Sequence, residues 1–152
     1  MSDHGYKFYM QKCNRYNVPI DVDKDLEVDF DGLRYAKCEG LDTYGKAKNV
    51  YIETYADSNS VRAYVADKLT NDATKIKFTF YFVGEKRKET YHEFVEWVRN
   101  GYTQYWDTAR NRKFTFIVQE EIKPASEKWH GSTPYIELQL TVHNLNGKTE
   151  RV

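Results

Sequence analysis

Three hydrophobic periods follow one another between Lys75 and Gln119. In Lys75 to Val83 (KIKFTFYFV), Ile76, Phe78, Phe80 and Phe82 alternate with Lys75, Lys77 and Thr79, a period of two that sets bulky side chains on one face of a strand. Gly84 breaks the run and a charged turn follows, Glu85 to Glu89. Thr90-Tyr91-His92-Glu93 then has the form of a capping box and predicts a helix starting there. Its apolar stripe runs through Tyr91, Phe94, Val95, Val98 and Tyr102, and Asn100-Gly101 supplies a left-handed stop. Past a polar loop (DTARNRK), Lys113 to Gln119 alternates again through Phe114, Phe116 and Val118. A helix of about 11 residues with one apolar stripe needs a cover, and the adjacent Phe-lined face is its nearest partner.

The flanking segments read as further strands. Asp21 to Asp31 (DVDKDLEVDFD) is acidic at every odd position, which predicts a strand with Leu26, Val28 and Phe30 toward a core. Leu33 to Gly45 holds a short strand and a loop, Asn49 to Tyr55 and Val61 to Ala66 alternate as strands, and Ala56-Asp57-Ser58-Asn59-Ser60 suits a hairpin tip. Glu120 to Thr133 reads as a long loop around Trp129, Tyr135 to His143 as the last strand, and the tail from Asn144 as frayed. Residues 1–19 fit helical spacing (Tyr6, Tyr9, Met10, Cys13, Tyr16) and strand spacing (Tyr6, Phe8, Met10) equally. We treat them as an N-terminal arm, followed by a single domain over 20–152. The sum is six or seven strands and one helix: a mainly β (α+β) fold, an antiparallel β-sandwich or partly open barrel flanked by the helix.

Composition changes this picture little. The 13 Tyr, 8 Phe and 3 Trp favour pleated, half-buried surfaces. Lys plus Arg and Asp plus Glu are both 23, so no net charge draws the chain to nucleic acid or anionic lipid, and copies of it do not repel one another. The 2 cysteines are too few for a disulfide framework, and no signal segment or apolar run of membrane-spanning length is seen. A soluble protein made inside the cell is expected.

Few residues offer chemistry. Glu27, Asp29, Asp31 and Gly32 occupy the first, third, fifth and sixth positions of a calcium loop, but Cys38 stands at the twelfth, where a bidentate Glu is needed. A solvated strand face is the better reading. His4, His92, His130 and His143 are scattered, no nucleophile elbow or phosphate-binding loop occurs, and Cys13 and Cys38 read as idle buried thiols. The basic clusters Lys86-Arg87-Lys88 and Arg110-Asn111-Arg112-Lys113 read as solvated turns. We expect no enzyme, metal or cofactor. Trp106, Trp129 and Tyr135 lie in or beside predicted loops, where aromatics could stack on sugars, anchor a partner chain or plug the ends of a sandwich.

The order of a Phe-rich strand (KIKFTFYFVG), a helix (YHEFVEWVRNG), an aromatic-rich turn (YTQYWDTARNRK) and two strands (FTFIVQEE, YIELQLTVHNL) resembles bacteriophage tail proteins of the tail-tube and distal-tail type. The segment GLRYAKCEGLDTYGKAKNVYIETYADSNSVRAYV is similar to segments of prophage proteins of Bacteroidetes-type bacteria. The resemblance spans roughly Asp29 to Leu145, leaves the arm without a counterpart, and includes no long acidic or glycine-rich hairpin of the kind that lines tube interiors. It implies a non-enzymatic virion component, synthesised in the bacterial cytoplasm. Such a component would join copies of itself into a ring, and would meet other tail proteins, through sheet edges and the loop Ala56 to Ser60. The alternative is a glycan- or small-ligand-binding β-domain that uses Trp106, Trp129 and Tyr135.

Overall fold

The computed structural model describes residues 8–48, 50–54, 61–65, 71–124 and 127–152, with backbone alone at 50–54 and 61–65. Among the described residues the chain is mainly antiparallel β, with one helix of more than two turns and a sheet that does not close into a barrel. Its centre is the predicted Phe strand, β6 (Thr74–Val83), where Ile76, Phe78, Phe80 and Phe82 are all buried. On one side β10 (Thr133–Asn144) pairs with it from Tyr135↔Val83 to Asn144↔Thr74, which places Leu138 opposite Phe80 and Leu140 opposite Phe78. On the other side lies β3 (Leu33–Glu39), with a bulge between Tyr35 and Lys37.

Beyond β10 the sheet bends back on itself. β10 meets β8 (Arg112–Ile117) only at His143↔Ile117 and Asn144↔Phe116, so this joint is a narrow corner. From it β8, β7 (Tyr102–Asp107), β1 (Phe8–Cys13) and β2 (Lys24–Asp25) continue in that order. The inner faces of the two halves then touch. Phe8 stacks on Tyr35 at 4.0 Å although β1 and β3 stand toward opposite ends of the strand order. Phe78 meets Tyr105 at 4.9 Å and Phe114 at 6.1 Å across the same gap. Aromatic rings fill a space about 10 Å deep with few side chains, which suits a sheet folded over itself.

The helix closes one end of this core. Residues Arg87–Val98 form α2, with Tyr91, Phe94, Val95 and Val98 buried, and Phe94 packs edge-on against Phe80 at 5.1 Å and Phe30 at 5.2 Å. It begins about one turn before Thr90, where the sequence predicted its start. Thr90 is buried, and its N–H donates to the Lys86 carbonyl at 2.9 Å within the helix. At the observed start, Arg87 bonds the Gly84 carbonyl at 3.1 Å and pairs with Glu127. The left-handed stop falls as expected, with Gly101 at φ +63°, but Tyr102, expected on the helical stripe, belongs to β7.

Several other expectations change. Residues 8–13 are no arm. They form β1, paired along its length with β7 from Phe8↔Asp107 to Cys13↔Tyr102, and Met10 is fully buried. Leu26 to Phe30 is not a strand. Leu26–Asp29 make one helical turn, α1, so that Leu26 and Phe30 point inward while Val28 is 48% exposed. The aromatic-rich segment before Arg112 is strand β7, and the loop around Trp129 contains β9 (Lys128–His130), which makes a hairpin with β10 through Gly131. The tail is tied down: β11 (Glu150–Arg151) pairs with β8, and Thr149 donates to the Leu41 carbonyl at 2.8 Å. Gly147, at φ +69°, accepts from Gly45 N–H at 2.7 Å and sits so close to the Asp72 carbonyl that a Cβ would lie 2.3 Å from it. Eleven strands are thus present among the described residues, more than the sequence predicted.

β4 (Val50–Thr54) and β5 (Val61–Val65) form their own two-stranded antiparallel sheet, with Ile52 opposite Ala63. The predicted contact loop Ala56 to Ser60 between them lies outside the described residues.

Cys13 and Cys38 are buried and free. Burial pushes the Cys38 thiol up to about 12, against a smaller opposing effect of Arg110, and raises Cys13 as well. In the native protein at pH 8, a thiol-specific reagent is therefore expected to label neither cysteine faster than the chain unfolds. Fast labelling of Cys38 without denaturant would contradict a closed aromatic core.

Candidate interaction surface

The lower rim of the sheet is built from β1 outward, starting at a buried lysine. β1 alternation turns Lys12 toward the end of α2, where its ammonium donates to Val98 O at 3.0 Å, Asn100 O at 2.5 Å and Thr103 Oγ1 at 2.8 Å. Three donors meet three acceptors, two of them carbonyls at the negative end of the helix. The Trp97 ring lies 5.1 Å from the same nitrogen, and Lys24 adds a second cation 5.7 Å from that ring. Burial lowers the Lys12 pKa to about 8, partly offset by Cys13. The lysine is a clamp that locks β1 onto the helix.

Past Cys13 the chain reverses around Asn14. Its side-chain oxygen accepts from Tyr16 N–H at 2.8 Å and Val18 N–H at 3.1 Å, and its own N–H donates to Val18 O at 2.9 Å. Asn17, at φ +64°, takes the left-handed residue of the turn, and the Thr115 hydroxyl donates to its Oδ1 at 2.6 Å. The returning chain follows the outer edge of β1: Pro19 bridges to Cys13, Ile20 N–H donates to Lys12 O at 3.0 Å, and Gln11 Nε2 donates to Asp21 O at 2.8 Å. β2 then pairs Lys24 with Met10.

This edge segment is held on its inner side and uncovered on its outer side. Tyr16 is 69% exposed, Val18 52%, Ile20 67% and Val22 69%. These four large apolar side chains make an exposed strip along the turn and the returning chain, in which Arg15, Asp21 and Asp23 are exposed as well. Isolated exposed apolar residues are ordinary on protein surfaces; a row of them on a sheet edge is a surface that gains by being covered.

The buried polar groups are arranged differently. Tyr105 OH lies 3.0 Å from Tyr35 OH and 3.4 Å from Asp107 Oδ2, and Asp107 accepts from Arg110 N–H at 2.9 Å and Arg110 Nη1 at 3.1 Å. Asp107 is fully buried, and burial holds both tyrosines protonated far above the usual phenol range. The cluster closes the turn from β7 to β8 and ties it to β3 inside the core. Among the described residues no group of three or more His, Cys, Asp or Glu side chains is placed to hold a metal ion, and no helix is long and apolar enough to cross a membrane.

The aromatics singled out in the sequence occupy separate surfaces. Trp106 is a strand residue, half-buried on the outer face of β7 between Tyr9 and Lys113. Trp129, on β9, is 64% exposed and alternates to the face opposite Lys128 and His130. Tyr135 is half-buried on β10 and packs edge-on with Tyr81 at 5.5 Å. No common platform unites them, because none of the three stands in a loop. Of the residues exposed along the rim, Tyr16 was noted in the sequence only for its helical spacing, and Val18, Ile20 and Val22 went unremarked, although Val22 lies within the acidic run and Ile20 stands just before it. No family model matches the chain, and no curated protein matches its sequence.

Proposed function

We propose that the protein is a non-enzymatic structural subunit that joins copies of itself through its sheet rim, in the setting its element order resembles, the ring of a phage or prophage tail. The observation that carries this reading is the apolar strip Tyr16, Val18, Ile20 and Val22, exposed on a segment that backbone hydrogen bonds hold to the edge of β1. Charge supports a head-to-tail arrangement. The strip begins at the Cys13 end of the β1–β7 ladder and its carboxylates, Asp21 and Asp23, lie beside the middle of β1, while the basic turn Arg110 to Lys113 follows Asp107 at the Phe8 end. An apolar and acidic edge and a basic turn at separate places on one molecule, with a net charge of zero, suit a heterologous contact, which makes a ring when its rotation closes. The rim meets neighbouring subunits, and other tail proteins meet the assembled ring.

Sedimentation across protein concentration tests this. The native chain is expected to pass from monomer to larger closed species as concentration rises, with the midpoint moving to higher concentration in salt. Ile20→Asp, which puts a third carboxylate on the strip, is expected to stay monomeric while unfolding at the same denaturant concentration. A native chain that stays monomeric at millimolar concentration overturns the proposal.

A further inference from the structure

A second surface lies on the outer face of β3, β6, β10 and β9, away from the rim. There Arg34, Tyr81, Val83, His130 and Tyr135 line an open groove of about 290 Å³. Its residues are set by sheet register: Arg34 stands across from Tyr81, and Val83 across from Tyr135. The Tyr81 and Tyr135 rings meet at 87°, so one presents a face and the other an edge at the bottom of the groove. Neighbouring charges are already matched, since Lys128 pairs with Glu137 and Lys37 with Glu39. Arg34 is different. Its Nη1 donates to the Leu33 carbonyl at 3.0 Å, and among the described residues no carboxylate pairs with it.

A groove of this size holds one six-membered ring; its walls are apolar and aromatic, and its unmatched charge is a guanidinium whose planar fork fits a carboxylate. β6 and β10 are hydrogen-bonded on both sides where they supply the two tyrosines, so a peptide backbone could add only along the outer edges of β3 and β9, away from the two rings. We infer that the groove binds a sugar ring bearing a carboxylate, of the uronic acid class, with the carboxylate on Arg34, the C–H face of the ring on the tyrosine that presents its face and its side against the edge of the other, and His130 at the rim to bond a hydroxyl. The site is independent of self-assembly, because it shares no residue with the apolar strip.

Titration of the full chain with a glucuronate-terminated disaccharide and with its glucose-terminated counterpart, followed by NMR shifts of the tyrosine rings, tests the inference. The acidic sugar is expected to bind saturably and at least 10-fold more tightly than the neutral one, a discrimination that an Arg–carboxylate contact supplies. Arg34→Ala is expected to remove the discrimination, Arg34→Lys to recover part of it, and Tyr135→Ala to weaken binding where Tyr135→Phe does not. Equal binding of the two sugars, binding unchanged in Arg34→Ala, or no saturable binding overturns the site. Acetate or a peptide carboxylate competing as well as the sugar acid overturns the sugar assignment. Repeating the titration in Ile20→Asp separates this result from that of the assembly proposal.

Discussion

Phe78→Ala is expected to lower the unfolding free energy by about 3–5 kcal/mol, read as a shift of the urea midpoint. Phe78 is fully buried at the point where the two halves of the sheet face each other, in ring contact with Tyr35, Phe80, Tyr105, Phe114 and Phe116. Its removal leaves a hole lined by aromatic rings from several strands, which cannot all move in to fill it. The loss therefore combines transfer free energy with a cavity penalty. Lys77→Ala, next along the same strand but on the outer face, is the control and is expected to change stability by less than about 0.5 kcal/mol. Equal effects at the two positions would mean that the sheet is not folded over itself at Phe78.

Lys12→Met is expected to cost about 2–3 kcal/mol near neutral pH, because a side chain of similar length leaves Val98 O, Asn100 O and Thr103 Oγ1 without their donor at a buried helix end. pH gives the substitution a signature that a packing defect lacks. The Lys12 pKa lies at about 8 in the folded chain, below the value of 10.5 it takes when unfolded, so between these limits the unfolded state binds more protons. Stability contributed through this group therefore rises with pH across that window. Measured against Lys12→Met, the native protein should gain stability as pH climbs from about 8 toward 10.5. A difference that is flat over this range would show that the ammonium is not buried at the helix end.

The parts of the fold written into the sequence are those in which one periodicity decides the structure. Ile76, Phe78, Phe80 and Phe82 can share a face only in a strand, and Phe94, Val95 and Val98 only on a helix, so β6 and the body of α2 were readable. Leu26 and Phe30 were not, because positions four apart coincide in both periods; Val28 separates the two and its exposure is a tertiary outcome. The start of α2 was misplaced for a related reason. Thr90 and Glu93 carry capping chemistry, but the helix begins a turn earlier at Arg87, which pairs with Glu127, and no local signal reports a partner 40 residues away. The pairing of β1 with β7 has the same character: it joins Tyr9 to Trp106, which no local pattern connects. The groove around Arg34 and Tyr81 likewise appears only once β3, β6, β9 and β10 are set side by side. The rim was half legible. Its alternation stands in the sequence, but whether Val18, Ile20 and Val22 face a core or solvent depends on what the chain leaves uncovered after folding.

Backbone amide exchange followed at two protein concentrations locates self-association on the rim. Amides of residues 15–23 are expected to become protected as concentration rises while those of β3 and β6 keep their rates. Unchanged exchange at 15–23 in a sample whose mass has increased would place the contact elsewhere and rule out the rim.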